Sequence, residues 1–115
     1  MSDAIVKAFT ITGNTSREDI GSTSESEAID GFDDTNVTLD RQLRIYNAGP
    51  NRAFIAKGTS TVVAVEPTDG TPADGMPIDP GVIEIIGFKA GETHVAAICA
   101  SGETATLYYT PGVGV

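Results

Sequence analysis

The sequence predicts an all-β fold of two packed antiparallel sheets, a β-sandwich or jelly roll of about eight short strands with an extended acidic N-terminal arm or loop. Three observations predict this class. The 115 residues include 13 Gly and 6 Pro but no Trp, a composition that favours turn-rich β structure. Short apolar runs are separated by turn residues at the spacing of a sandwich or barrel. Sustained helical periodicity is absent from the sequence.

Chain length limits the protein to one domain, because a globule of this size buries roughly two thirds of the surface that its unfolded chain exposes. We therefore predict a single β domain over residues 1–115. Within it, residues 1–11 contain the first strand, residues 12–36 form the acidic arm or loop, and residues 37–115 form the sandwich core.

Eight segments are predicted strands, because β-branched and aromatic residues cluster or alternate in them between turn residues. In the first, Ile5 and Phe9 share a face; in the second, Leu43 and Ile45 alternate with polar neighbours. The tail 111–115 is too rich in glycine to continue a strand. The predicted strands are 4–11, 37–47, 52–57, 61–66, 76–78, 82–88, 93–99 and 103–110.

The residues that these alternations turn inward form the predicted core. It consists of Ile5, Phe9, Leu43, Ile45, Phe54, Val63, Val65, Ile83, Ile85, Val95, Ala97 and Leu107.

Negative charge is concentrated in the first third of the chain. Up to Asp40 there are nine acidic residues against Lys7 and Arg17, so this part carries −7 of the net charge of −9. A polar segment with few apolar residues does not offset its own ordering entropy. We expect it to order against a partner that supplies cations or a groove.

The partner-binding residues predicted in this arm are of two kinds. Ile20, Ile29 and Phe32 are the expected apolar anchors, and acidic residues are expected to make salt-sensitive contacts with basic groups. The competing interpretation is that the arm folds back and covers a sheet edge of its own domain. The acidic contact residues are Glu25, Glu27, Asp33 and Asp34.

Catalysis is not indicated, so we expect no enzyme, no catalytic residue, no cofactor and no metal. His94 is the sole histidine, and most histidine-based sites need a second ligand or an orienting group. Cys99 is the sole cysteine, which excludes an intrachain disulfide and a multi-cysteine zinc site. The sequence holds neither a phosphate loop nor a nucleophile elbow.

Other binding chemistry is weakly indicated. An oxygen-rich stretch from Asp30 to Asp40 does not have the spacing of a calcium loop, so a solvated acidic surface is the better interpretation. Seven scattered basic residues and a pI near 4.2 argue against nucleic acid. The apolar runs are too short to span a membrane. Glycan stacking on Tyr46, Tyr108 or Tyr109 is possible, but tyrosines on strands more often pack across a sheet.

Residues 41–115 resemble a group of short tailed-bacteriophage virion proteins. The resemblance lies in four stretches: Arg-Ile-Tyr-Asn-Ala-Gly (44–49), Met-Pro-Ile-Asp-Pro-Gly (76–81), Thr-His-Val-Ala-Ala-Ile (93–98) and Thr-Ala-Thr-Leu-Tyr-Tyr-Thr-Pro-Gly-Val-Gly (104–114).

This resemblance implies a sandwich or jelly-roll subunit, most consistent with a capsid decoration (cement) protein that binds and stabilises the outer capsid surface. The expected partners are the major capsid protein and further copies of the chain, whose linked contacts would gain avidity. The expected location is the virion, after synthesis in the host cytoplasm. A tail- or fibre-associated receptor- or glycan-binding module is the alternative. Active-site residues are not implied.

Overall fold

The computed structural model describes residues 9–32 and 41–114, and these residues form nine β-strands and no helix. The all-β prediction is confirmed, with two antiparallel sheets packed as a sandwich. The strands are β1 (Thr10–Ile11), β2 (Ser16–Ile20), β3 (Glu25–Ala28), β4 (Arg41–Pro50), β5 (Ala53–Gly58), β6 (Met76–Ile78), β7 (Ile83–Phe88), β8 (His94–Cys99) and β9 (Ala105–Val113).

Five strands form the larger sheet and four form the smaller sheet. In the larger sheet the order is β1, β9, β4, β7, and β2 pairs with β9 on the same side as β1. In the smaller sheet the order is β3, β8, β5, β6. The larger sheet therefore ends in β1 and β2 on one side and in β7 on the other. The smaller sheet ends in β3 and β6.

The core lies between the sheets and follows from period-2 alternation. Along β4 every second residue is buried, and Leu43 and Ile45 are fully covered, whereas the residues between them are half-buried. β9 turns Leu107 and Tyr109 inward in the same way. The buried cluster consists of Ile20, Ile29, Phe32, Leu43, Ile45, Ala53, Ile55, Ile78, Phe88, Val95, Ala97, Cys99, Ala105, Leu107 and Tyr109.

A buried asparagine fixes the corner at the end of β4. The Asn47 side-chain amide donates to the carbonyl oxygens of Ile78 (2.8 Å) and Asn51 (2.9 Å), and its Oδ1 accepts from the Gly49 amide (2.7 Å). Gly49 has a φ of 89°, which a side chain would disfavour. The corner thus satisfies backbone groups that would otherwise be buried without partners.

The segment predicted as a strand-poor arm contains two edge strands. β2 pairs with β9 from Ser16↔Tyr109 to Ile20↔Ala105, and β3 pairs with β8 from Glu25↔Ala97 to Ala28↔His94. This is the arrangement of the competing interpretation, in which the segment covers sheet edges of its own domain. Tertiary pairing with β8 and β9 supplies the hydrogen bonds that this polar segment cannot obtain alone.

The predicted strand over 61–66 is wrong. This segment has no ladder neighbour and lies over the outer face of the smaller sheet, with Ala64 buried and Val63 and Val65 facing solvent. The tail prediction is also wrong, because β9 continues through Val113. The other predicted strands agree within a few residues where the chain is described; of the first, 4–11, only Thr10–Ile11 is described as a strand, and residues 37–40 lie outside the described ranges.

Part of the predicted core is also corrected. Val63, Val65, Ile83 and Ile85 are among the most exposed large apolar side chains of the described residues. Ile5 lies outside the described residues. The remaining predicted core residues are buried, except Phe9, which is half-buried and lies across Gly112.

Candidate assembly surface

The two sheets differ in what covers their outer faces. On the smaller sheet, residues 59–75 cross the outer face and place Val62 and Ala64 against Ala56, Ala96 and Ile98. A hydrogen bond from the Ala64 amide to Ser24 Oγ (2.9 Å) fastens this covering segment, and one from the Gly75 amide to the Val65 carbonyl (3.1 Å) joins two parts of the segment itself. The chain therefore buries this face itself.

The outer face of the larger sheet carries an exposed apolar surface. Ile83 and Ile85 of β7 are 45% and 38% exposed. Ile83 lies opposite Tyr46, and Tyr46 lies opposite Tyr108, so these three side chains form a row across β7, β4 and β9. The two tyrosine rings stack with 6.3 Å between their centroids. We call Tyr46, Ile83, Ile85 and Tyr108 the apolar row.

The hydrogen-bond pattern between β4 and β7 shows which backbone groups of β7 point away from the sheet. The Asn47 amide donates to the Val82 carbonyl (3.1 Å), so Val82 and every second residue after it point their backbone groups toward β4. Ile83, Ile85 and Gly87 therefore point theirs outward. The Gly87 carbonyl accepts from Lys57 Nζ (2.7 Å), which agrees with this assignment.

Between β7 and the smaller sheet the sandwich is open. A cleft of about 240 Å³ there is lined by Ile55, Ala56, Lys57, Asp74, Met76 and Ile86. Lys57 forms a salt bridge of 2.8 Å with Glu92. Burial alone would raise the pKa of Glu92, but the hydrogen bond from Lys57 lowers this pKa below its ordinary value. One end of the cleft thus has a fixed ion pair, and the rest is largely apolar.

The opposite side of the sandwich is acidic. β2 and β3 contribute Glu18, Asp19, Glu25 and Glu27 against Arg17. Register places Glu18 beside Leu107 and Glu27 beside Val95, both core residues, so the two glutamates face each other between the sheets.

The position of Glu18 between the sheets raises the pKa of its carboxyl group. Burial, the hydrogen bond with Glu27 and the surrounding carboxylates raise the pKa of Glu18 from 4.5 to about 7. Burial, followed by the charges of Glu18 and Glu27, also raises the pKa of Tyr109. Among the described residues, Glu27 Oε2 and the Tyr109 hydroxyl are buried without a hydrogen-bond partner.

The predicted partner-binding residues divide by location. Ile20, Ile29 and Phe32 are buried in the core of the same molecule, and Phe32 meets Phe88 edge-on at 5.1 Å. Glu25 is exposed and Glu27 is half-buried on β3. Asp33 and Asp34 lie outside the described residues. The first three side chains are therefore occupied by intramolecular packing in this conformation, and partner contacts by the set stay a prediction.

The single histidine and cysteine have ordinary structural surroundings. His94 Nδ1 lies 2.8 Å from Thr93 Oγ1. Cys99 is buried and unpaired, with its sulfur 3.8 Å from the Ile20 carbonyl oxygen, and burial raises the pKa of its thiol. Within residues 9–32 and 41–114 no three acidic, histidine or cysteine side chains form a metal-binding group. The same residues contain no helix that is long and apolar enough to cross a membrane.

Sequence reasoning missed the apolar row because β7 is apolar on both faces. Ile86 and Phe88 turn toward the core while Ile83 and Ile85 turn outward. A strand of this kind is typical of burial on two sides. Apolar residues on both faces of a strand at a sheet edge indicate that the outer face is covered by another molecule.

Comparison with known proteins gives a structural likeness at low sequence identity. Neither a family model nor a curated protein matches the chain. A solved structure described as "Bacillus endospore appendages form a novel family of disulfide-linked pili" is similar over 100% of this chain and 97% of that chain, with 15% sequence identity and a TM-score of 0.47. A likeness of this degree carries no function over to this chain.

These results correct the resemblance to tailed-phage virion proteins, which is wrong: the similar structure is an appendage chain and not a virion protein. The capsid decoration function, the tail-module alternative, the capsid protein as partner and the virion location all depended on that resemblance, and they fall with it.

Proposed function

We propose that this chain is a non-catalytic structural subunit that assembles with copies of itself through the apolar row and the adjoining β7 edge. One observation carries the proposal: the chain covers the outer face of its smaller sheet with residues 59–75 but leaves apolar side chains uncovered on the larger one. Clustered exposed apolar surface next to an open strand edge is typical of association sites.

The size of the surface indicates how such subunits hold together. Burying the exposed parts of Ile83 and Ile85 contributes about 1 kcal/mol each, since full burial of an isoleucine is worth about 1.5–3 kcal/mol. Association costs at least about 4 kcal/mol in lost translational and rotational freedom. A single contact is therefore weak, and an assembly gains strength when each copy has more than one neighbour.

Net charge sets the conditions for assembly. Each copy carries −9, so copies repel one another at low ionic strength. Salt at 0.1 M largely screens the repulsion between charges more than about 10 Å apart, whereas salt does not weaken apolar contacts. Self-association should consequently increase with salt.

Sedimentation velocity of the full chain, from about 10 µM to about 1 mM, tests the proposal over the range of weak association. The double variant Ile83→Ser with Ile85→Ser should stay monomeric where the wild type associates. The matched control is Val63→Ser with Val65→Ser, which removes two valines that are 57% and 50% exposed on the covering segment. The control should associate like the wild type.

Two outcomes overturn the proposal: a wild-type chain that stays monomeric throughout this range at high salt, or equal loss of association in both double variants. Negative-stain electron microscopy of the same samples shows the form of the assembly, including a fibre of the kind named for the appendage chain.

A further inference from the structure

From the edge geometry we infer that two copies of the chain join β7 to β7 as an antiparallel pair centred on Ile85, which continues the larger sheet from one copy into the next. This pairing deepens the proposed function and rests on it. It names the strand, the register and the occupant of the open edge, a second copy of the chain.

Among the described strands, β7 is the sheet edge best suited to pairing. β1 has two residues and β6 has three, and β6 contains Pro77. β2 and β3 carry inward-facing glutamates, a common protection of edge strands. β7 has six residues against five in β2 and four in β3, and it has no proline; its one charged residue, Glu84, also faces inward, opposite the core residue Ile45. Its outward backbone groups therefore form the longest edge row among the described strands, although the Gly87 carbonyl already accepts a hydrogen bond from Lys57.

The backbone specifies the register. Ile83, Ile85 and Gly87 point their N–H and C=O groups away from β4, and in an antiparallel pair the outward residues of each strand must oppose one another. A two-fold axis relates the two copies of such a pair. When this axis passes beside Ile85, Ile85 lies opposite Ile85 of the second copy, and Ile83 lies opposite Gly87. Each strand then donates and accepts along its whole free edge.

Gly87 supports this register. Its φ is not in the left-handed region, and a Cβ built there would meet nothing within 4 Å, so the isolated chain has no need of glycine at this position. Glycine inside a strand is otherwise unfavourable and often marks a close approach by another group. In the pair, the Ile83 side chain of the second copy lies across this bare stretch of backbone.

Charge is complementary across the same contact. Glu84 is exposed and makes no salt bridge within the described ranges, whereas Lys57 reaches the Gly87 carbonyl from the smaller sheet. The register places Glu84 of the second copy opposite Ile86, one residue from Gly87, on the side from which Lys57 approaches. Each copy thus supplies a carboxylate on the side from which the other's Lys57, already paired with Glu92, approaches, and no like charges oppose each other directly across the two strands.

Single-cysteine variants in a Cys99→Ala background test the register. Opposed residues of a hydrogen-bonded antiparallel pair have Cα atoms about 5.5 Å apart, which is within the range of a disulfide. Ile85→Cys should form a covalent dimer under mild oxidation. Ile83→Cys, which is at least as exposed, should not, because it faces Gly87. Val63→Cys controls for random collision.

A charge pair tests the same contact without oxidation. Ile85→Lys alone and Ile85→Glu alone should both associate less than the wild type, because like charges then oppose each other. An equimolar mixture of the two variants should recover association in sedimentation, at least to the level of the wild type.

The outcomes separate this inference from the proposed function. Cross-linking of Ile83→Cys as readily as Ile85→Cys, or no recovery in the mixture, overturns the β7 pairing even if the wild type self-associates. A wild type that never associates overturns both.

Discussion

Neutralising Glu18 should remove a pH-dependent loss of stability that the facing glutamates build into the sandwich. The perturbation is Glu18→Gln, which keeps the shape of a protonated glutamate and cannot ionise. Because the pKa of Glu18 is about 7 in the folded chain and about 4.5 in the unfolded chain, the folded state holds a proton between these pH values that the unfolded state has released.

The sign follows from this proton balance. Where the folded state binds more protons, the free energy of unfolding falls as pH rises, so the wild type loses stability from pH 4.5 to 7 and levels off above. A shift of this size corresponds to at most about 3 kcal/mol. Glu18 is partly exposed, and solvent screening reduces the expected effect to about 1–2 kcal/mol.

Denaturant unfolding at constant ionic strength, from pH 4 to pH 8, measures the difference between variant and wild type. Glu18→Gln should match the wild type at pH 4 and exceed its free energy of unfolding by about 1–2 kcal/mol at pH 8. The difference is the relevant quantity, because Glu92, whose pKa is lowered, contributes the opposite slope to both proteins. Glu84→Gln, which removes the same charge from the other edge strand of the same sheet, is the charge-matched control.

Parallel curves for Glu18→Gln and wild type across this range would refute the reasoning, as would a variant that is less stable at pH 8. Either result would mean that the Glu18 carboxyl is solvated and ionises normally in the folded chain.

Three further substitutions test the packing. Asn47→Ala should lower the free energy of unfolding by about 2–4 kcal/mol, because it leaves buried backbone groups such as the Ile78 carbonyl without a partner; a loss below about 0.5 kcal/mol in urea unfolding would contradict this. Tyr109→Phe should raise thermal stability, by about 1 kcal/mol, since it removes a buried hydroxyl that has no partner in the described structure; a lower melting temperature would show that the hydroxyl is bonded. Leu107→Ala should lower the free energy of unfolding by about 2–5 kcal/mol, and Val63→Ala should lower it by less than about 0.5 kcal/mol. Equal losses in the two variants would contradict the assignment of Leu107 to the core and Val63 to the surface.

Much of the fold was predictable from the sequence, because alternation and turn residues are local signals. Leu43 and Ile45 alternate with polar residues, and Gly49 and Pro50 mark the following corner, so β4 could be placed without its neighbours. The strands β7, β8 and β9 have the same kinds of signal. Two packed sheets then follow from the number of strands and the shortness of their connections.

The edge strands β2 and β3 were not predictable in the same way. β2 reads Ser-Arg-Glu-Asp-Ile and β3 reads Glu-Ser-Glu-Ala, so Ile20 is the one large apolar residue of the two strands. Their strand conformation depends on hydrogen bonds to β9 and β8, which are distant in sequence. Local propensity does not contain that information.

The assembly surface was hidden for a related reason. Ile83 and Ile85 were assigned to the core because their residue types favour burial, and nothing in a six-residue apolar strand says which face meets the other sheet. Val63 and Val65 were misassigned for the same reason, although they lie on the covering segment. Structure distinguishes the two cases, because the first pair adjoins a free strand edge and the second does not.

The acidic side and the β7 side should act independently, which gives a final prediction. β2 and β7 lie at opposite edges of the larger sheet, separated by β9 and β4, and three strand intervals of about 4.8 Å place them about 14 Å apart. Substitutions at that distance without shared contacts usually have additive effects. Adding Glu18→Gln to the Ile85→Cys, Cys99→Ala variant should therefore change its pH-dependent stability and leave the yield of covalent dimer unchanged. A dimer yield that follows the charge of residue 18 would show that the copies also meet through the β2 and β3 edges, and that the inward glutamates regulate assembly instead of only closing their own side of the sandwich.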